Sequence, residues 1–264
     1  SPFETTTYGL GELIKKLLKD GIANFTVGIG GSATNDGGAG MAQALGYEFY
    51  DHSGNIITGK MNGRLIGQIS KIVSPILPYF RIKAAGDVKN PLLGKHGAVY
   101  TYALQKGATL ADLPVLEKNM ANLSARFHKD LCRKIDNIEG AGAAGGLGAG
   151  LMAFCDAEIV SGSQHILRIL NFHDKIKNAD LVITGEGKYD DQTNQGKIVS
   201  EIVRVSKKNK VPVYGIFGKI DTSAKGQLEK CIQLIDFAEE TETMKNPKKY
   251  LEMAVKNIFT EKPE

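Results

Sequence analysis

The sequence has no tryptophan, only three cysteines and no long run of apolar residues. A membrane-spanning helix needs about 20 consecutive apolar residues, so we expect no membrane partner. Cys132, Cys155 and Cys231 are widely spaced and odd in number, which fits neither a disulfide framework nor a zinc site. Unpaired cysteines are typical of a reducing compartment, and the sequence therefore predicts a cytoplasmic protein.

The chain is only mildly basic, with a formal net charge of +4. Its tightest basic cluster, at 207–210, ends a predicted helix, where cations suit the helix dipole. Basic residues are not interleaved with aromatic ones, which argues against binding to nucleic acid. Glycine is in excess, because 31 of 264 residues is about 12% against an average of about 7%. Much of this excess lies in two short segments.

The first glycine segment is GIGGSATNDGGAG, at 28–40. It follows a β-branched and aromatic run and precedes an apolar helical pattern at 41–45. Glycines let the backbone approach a ligand closely, and the N–H groups before a helix favour an anion. Four polar side chains of the segment are suited to orienting a hydroxyl or holding a metal: Ser32, Thr34, Asn35 and Asp36. We therefore predict that this segment binds a phosphate or a carboxylate.

The second glycine segment is GAGAAGGLGAG, at 140–150, and it precedes an apolar stretch at 151–154. As a loop it would hold a second anionic group, but the same small residues also allow close helix packing. Neither segment matches the P-loop or the protein-kinase motifs. In the first segment Ala33 stands where G-x-G-x-x-G requires its third glycine. Any nucleotide is therefore recognised without a standard fingerprint.

Helical and extended patterns alternate along the chain. Apolar residues recur at helical spacing in 10–18, 111–135, 164–176, 197–208 and 250–258. Short apolar runs predict strands at 25–29, 81–88, 157–160, 179–184, 211–217 and 231–235. This alternation predicts an α/β fold. A shift toward parallel-sheet rhythm near Gly162 predicts two lobes, at 1–162 and 163–264.

Acidic residues follow several of the predicted strands. Asp36, Asp87 and Glu186 fall at strand ends, and Asp190 comes shortly after. Ligands of open α/β sheets bind beyond the carboxyl ends of the strands, which favours a shared site over ordinary capping and loop solubility. Phosphoryl transfer needs such groups, since Mg²⁺ takes one or two carboxylates and cations neutralise the phosphates. The basic residues nearest to these acids in sequence are Lys89, Lys188 and Lys197.

Five motifs occur together in this order: GIGGSATNDGGAGMAQALG (28–46), GDVKNPLLGKHGA (86–98), QKGA (105–108), GAGAAGGLGAG (140–150) and ADLVITGEGKYDDQTNQGK (179–197). This combination resembles the bacterial glycerate kinase family. The resemblance implies a two-lobed α/β fold, with a Rossmann-like parallel-sheet lobe and a second mixed α/β lobe. It also implies ATP- and Mg²⁺-dependent phosphorylation of glycerate in the cleft between the lobes.

The resemblance starts in the middle of the family sequence, which begins with a further strand and a loop of the kind I-A-P-D-S-F-K. The parallel-sheet lobe at 163–264 is therefore expected to be incomplete here. Two alternatives stay open: an anion-binding fragment or paralogue without turnover, and a kinase for a related hydroxy acid. The expected partners are glycerate and ATP, and a homodimer is left open.

The resemblance implies catalytic roles for Asp36, Asp190 and Lys197, with Asp36 and Asp190 also as Mg²⁺ ligands. The residues implied to bind substrate or phosphate are Gly30, Gly31, Ser32, Thr34, Asn35, Asp87, Asn90, Lys106, Gly145, Gly146, Glu186, Lys188, Gln192 and Thr193. Three positions depart from the family pattern. Gly86 replaces a common cysteine, the stretch 102–104 lacks the usual phenylalanine and proline, and Lys188 replaces an arginine. A lysine keeps the charge of the arginine but loses its bidentate geometry.

Overall fold

A computed structural model describes residues 1–190, 198–221 and 228–260. The chain divides into two compact units, Ser1–Gly162 and Ser163–Glu264. Each unit combines helices with a parallel sheet, so the predicted α/β class is confirmed. No helix in the described residues is long and apolar enough to span a membrane.

The first unit is built around a parallel sheet. Its helices are α1 (Tyr8–Lys19), α2 (Ala39–Leu45), α3 (Ala98–Tyr102), α4 (Leu113–Leu131) and α5 (Ala143–Cys155). Its strands are β1 (Asn24–Gly28), β2 (Glu48–Tyr50), β3 (Lys71–Val73), β4 (Arg81–Ala85) and β5 (Glu158–Val160). Strands β1, β4 and β5 pair in parallel in that order, while β2 and β3 pair antiparallel.

The second unit contains another parallel sheet. Its helices are α6 (Gly162–Ile169), α7 (Phe172–Lys175), α8 (Ile198–Lys208), α9 (Glu240–Lys245) and α10 (Pro247–Thr260). Its strands are β6 (Val182–Tyr189), β7 (Val213–Ile220) and β8 (Lys230–Gln233), which pair in parallel in the order β6-β7-β8. Because parallel strands cannot be joined by a tight turn, helix α8 connects β6 to β7.

Helix α4 shows how the sequence builds the core of the first unit. Leu116, Met120, Leu123 and Phe127 recur every three or four residues, and all four side chains are fully buried. The Phe127 ring meets Phe154 edge-on, with 5.1 Å between centroids. The same Phe154 ring also packs edge-on against aromatic rings of the neighbouring segments. This apolar cluster packs α4 against α5.

Three predicted elements differ from those in the structure. The strand predicted at 179–184 runs instead from Val182 to Tyr189, because β7 continues to pair with it. The helical pattern at 164–176 is interrupted at Asn171, which has a φ of 52°. Within α5, Ala144, Gly145 and Gly146 have left-handed backbone angles, so the regular part of the helix begins at Leu147. The prediction of a loop over 140–150 was therefore wrong for residues 147–150.

Candidate functional site in the first unit

The first glycine segment leaves the carboxyl end of β1 and leads into α2. Within the described chain, the backbone N–H groups of residues 30–36 donate no hydrogen bond to the protein. A Cβ atom added at Gly30 or Gly31 would meet nothing within 4 Å. Packing therefore does not require glycine at position 30, and the backbone there is open to a ligand.

A cavity of about 110 Å³ lies against this open backbone. It is lined by Ile29, Gly30, Gly31, Ser32, Val88, Tyr102, Gln105, Lys106 and Ala144. We call it the Lys106 cavity. The lining combines exposed backbone, one cation and several neutral polar groups, and all of it belongs to the first unit. Such a lining is suited to a small anion.

Lys106 supplies the positive charge of the cavity. Its Nζ atom donates to Ser32 Oγ at 3.0 Å and to the carbonyl oxygen of Thr34 at 2.8 Å. An ammonium has three donors, so one is left for a ligand. Burial lowers the pKa of Lys106 to about 8, and the nearby Asp36 carboxylate acts in the opposite direction. The protonated form therefore prevails near neutral pH.

Asp36 lies in the same segment but faces inward. It is fully buried, and its oxygens accept hydrogen bonds from Thr7 N (2.8 Å), Thr7 Oγ1 (2.8 Å), Gly38 N (3.2 Å) and Gly40 N (3.2 Å). Burial raises the pKa of Asp36, and the four donors oppose that rise. This geometry gives the carboxylate a structural role. Its roles as a base and a Mg²⁺ ligand stay predictions.

The second glycine segment packs directly on the first. Gly37 N donates to the carbonyl oxygen of Gly145 at 3.2 Å. A Cβ atom at Gly145 would collide with the Thr34 carbonyl oxygen, and one at Gly146 would lie 3.0 Å from the Cα of Gly37. Close packing therefore accounts for both glycines. This agrees with the interpretation that the small residues of this segment allow close packing.

Three further predicted residues lie near these segments with different partners. Asn35 is fully buried, and its amide has no hydrogen-bond partner in the described residues. Asn90 donates to the carbonyl oxygen of His96 at 2.7 Å and accepts from the Tyr102 hydroxyl at 2.6 Å. Asn90 thus positions a ring that lines the cavity. Asp87 is exposed and accepts from Ser161 Oγ at 3.0 Å.

The remaining predicted residues belong to the second unit. Glu186 and Lys188 lie inside β6, opposite Phe217 and Lys219 of β7. Lys188 Nζ lies 3.4 Å from Asp190 and 3.9 Å from Asp221. Gln192, Thr193 and Lys197 fall outside the described residues. Across the described ranges, no group of three or more His, Cys, Asp or Glu side chains is arranged to hold a metal ion.

Comparison with known proteins identifies the family. The family described as "Glycerate kinase family" matches residues 1–261. The chain belongs to the glycerate kinase family. It is 43% identical over 224 residues to the glycerate kinase of Halalkalibacterium halodurans, covering 83% of this chain and 58% of that protein. It is 44% identical over 222 residues to the glycerate 2-kinase of Escherichia coli, with the same coverages.

A solved glycerate kinase structure supports the fold. The crystal structure of a proposed glycerate kinase 2 from Salmonella typhimurium LT2 superposes with a TM-score of 0.76 at 38% identity. The match covers 88% of this chain and 62% of that one. The predicted family and fold class are thus confirmed. The chain spans about 58% of the length of the curated relatives that it matches.

Sequence reasoning missed five residues that line the cavity, namely Ile29, Val88, Tyr102, Gln105 and Ala144. Gln105 could have been found from the sequence because it is the first residue of the QKGA motif at 105–108, and Tyr102 lies three residues before that motif. Ala144 could not, because its φ of 53° cannot be read from composition. The cavity of this glycerate kinase family member thus combines one cation with neutral polar and apolar residues.

Replacing Thr7 with valine tests the structural role of Asp36. Thr7 Oγ1 donates to Asp36 and accepts from Met41 N at 2.9 Å, so the change removes both bonds in a buried place. We expect Thr7→Val to lower the free energy of unfolding by about 2 kcal/mol, measured by urea denaturation. Thr58→Val, at an exposed threonine, is the matched control and should shift it by less than about 0.5 kcal/mol. Equal free energies of unfolding for the two variants would show that the hydrogen bonds between Thr7 and Asp36 do not stabilise the fold.

Proposed function

We propose that this chain takes part in transferring a phosphoryl group from ATP to glycerate, with the acid bound in the first unit. Family membership supports the reaction class. The observation that carries the proposal is the Lys106 cavity. There the Lys106 ammonium keeps one N–H donor that no protein group uses, and no protein atom covers the backbone of Gly30. Glycerate is a small anion, and the cavity offers charge and N–H groups for its carboxylate.

The described residues also include candidates for neutralising phosphate charge and for binding Mg²⁺. Lys188 supplies positive charge at the carboxyl end of β6, where it lies close to Asp190. Cations of this kind neutralise charge on a transferring phosphoryl group. Of the two carboxylates predicted to bind Mg²⁺, Asp36 is the weaker candidate, because its oxygens already accept four protein hydrogen bonds.

Asp190 is the better candidate for Mg²⁺, since this ion typically takes one or two carboxylates together with nucleotide phosphates. Its side chain keeps 22% of its surface exposed. Bound Mg²⁺ would neutralise phosphate charge. We further propose a cytoplasmic location, supported by Cys132, Cys155 and Cys231, which form no disulfide bond with one another in the described residues. A homodimer stays a prediction.

A coupled assay of ADP release, with ATP, Mg²⁺ and glycerate, tests the reaction directly. We expect ADP release that depends on glycerate. A chain that binds glycerate but releases no ADP would support anion binding without turnover. Release with another hydroxy acid alone would support a kinase of different substrate. Because the chain spans about 58% of its relatives, turnover has to be measured on this chain itself.

Lys106 variants test the cation. We expect Lys106→Met to lower kcat/KM by about a hundredfold or more, because a charged partner of the anion is lost. The pKa of about 8 adds a pH effect, since kcat/KM should fall as pH rises through 8 and the ammonium loses its proton. Lys106→Arg stays protonated and should move that fall to higher pH. Lys118→Met, at an exposed lysine of α4, is the control.

Gly30→Ala tests the open backbone. The added methyl group would meet no protein atom within 4 Å, so the free energy of unfolding should stay unchanged or rise by up to about 1 kcal/mol. The same methyl would enter the cavity, and we expect glycerate to bind about tenfold more weakly or worse. Gly28→Ala is the matched control, because its Cβ position is equally open but lies outside the cavity lining. Calorimetric titration with glycerate measures both variants.

A further inference from the structure

Gln105 is a polar residue of the Lys106 cavity to which no role has been given. It precedes Lys106 in a short 3-10 helix, Leu104–Lys106, and it is one of the residues that line the cavity. The residue is exposed, and its amide has no hydrogen-bond partner among the described residues. An amide both donates and accepts, so it can pair with a hydroxyl group in either sense.

The size of the cavity limits what can occupy it beside Gln105. Its 110 Å³ equals the volume of about four water molecules in the liquid, at about 30 Å³ each. Pockets for drug-sized ligands and cofactors are usually about 300 Å³ or larger. A short-chain acid therefore fits within this volume, whereas a whole nucleotide would extend beyond it.

The lining has separate places for the parts of such an acid. The third donor of Lys106 and the unpaired N–H groups of the first glycine segment suit a carboxylate. Ile29 and Val88 provide apolar contact for a carbon chain. The Tyr102 hydroxyl hydrogen is committed to Asn90, which leaves the Gln105 amide able to donate to a ligand.

We propose that Gln105 is a specificity-determining residue that hydrogen-bonds a hydroxyl of a small hydroxy acid whose carboxylate Lys106 binds. The proposal rests on the proposed function, because it assigns glycerate to the same cavity. A site that hydrogen-bonds a hydroxyl discriminates strongly against the analogue without it, since its own polar group is then left unpaired. Gln105 thus distinguishes glycerate from an acid of equal length without hydroxyl groups.

Glycerate and propionate, titrated separately into the full chain by NMR, test this assignment. Gln105→Leu should weaken glycerate binding by about tenfold or more and change propionate binding by less than about twofold. Gln105→Glu should weaken the binding of both acids, because the negative charge of the glutamate would repel the carboxylate of the bound acid. Gln68→Leu is the matched control, since Gln68 also lies in an exposed 3-10 helix position, outside the cavity. Thermal unfolding of each variant confirms that the chain is folded.

The outcomes separate the two proposals. Failure of the unaltered chain to bind either acid overturns both the inference and the proposed function. Glycerate binding that Gln105→Leu leaves unchanged, or weakens no more than propionate binding, overturns the inference alone. Propionate binding that Gln105→Glu does not weaken likewise shows that Gln105 does not face the ligand. In either of the last two cases, ADP release with glycerate would leave the proposed function standing.

Discussion

The buried carboxylate of Asp36 fixes the geometry on which the candidate site depends. A charge removed from water is tolerated only when hydrogen bonds replace its hydration, and here four donors do so. Two come from Thr7, just before α1, and two from glycines at the start of α2. One side chain therefore holds the beginnings of two helices together. Residues 29–35 of the first glycine segment connect the end of β1 to Asp36.

Anchoring at both ends explains how the segment can leave its own N–H groups unpaired. Residues 30–36 lie between a strand held by its ladder and a carboxylate held by four bonds, so they need no internal hydrogen bonds to keep their path. The same carboxylate favours the charged form of Lys106, which burial would otherwise disfavour. Asp36 thus supports the proposed anion site without an exposed oxygen of its own. Its contribution acts through the backbone and through the neighbouring cation.

Much of this architecture can be predicted from the sequence because it depends on periodicity. The apolar spacing of α4 and the strand–glycine–helix order around 28–40 are local signals. The direction in which Asp36 points is not a local signal, since its main partner, Thr7, is 29 residues away in the chain. For the same reason, composition could not distinguish an anion-binding loop from close packing at 140–150. The deciding contact, between Gly145 and Thr34, joins segments that are distant in sequence.

The two glycine segments also show why glycine content alone is ambiguous as a functional signal. At Gly145 a side chain would collide with backbone, so the protein itself requires glycine there. At Gly30 a side chain would collide with nothing in the protein, and its φ lies outside the left-handed region that favours glycine. Gly28 has the same freedom, but only Gly30 also lines the Lys106 cavity, where a ligand could approach its backbone. In this chain that space lies beside Lys106, and the charge there makes an anion the occupant that the local chemistry favours.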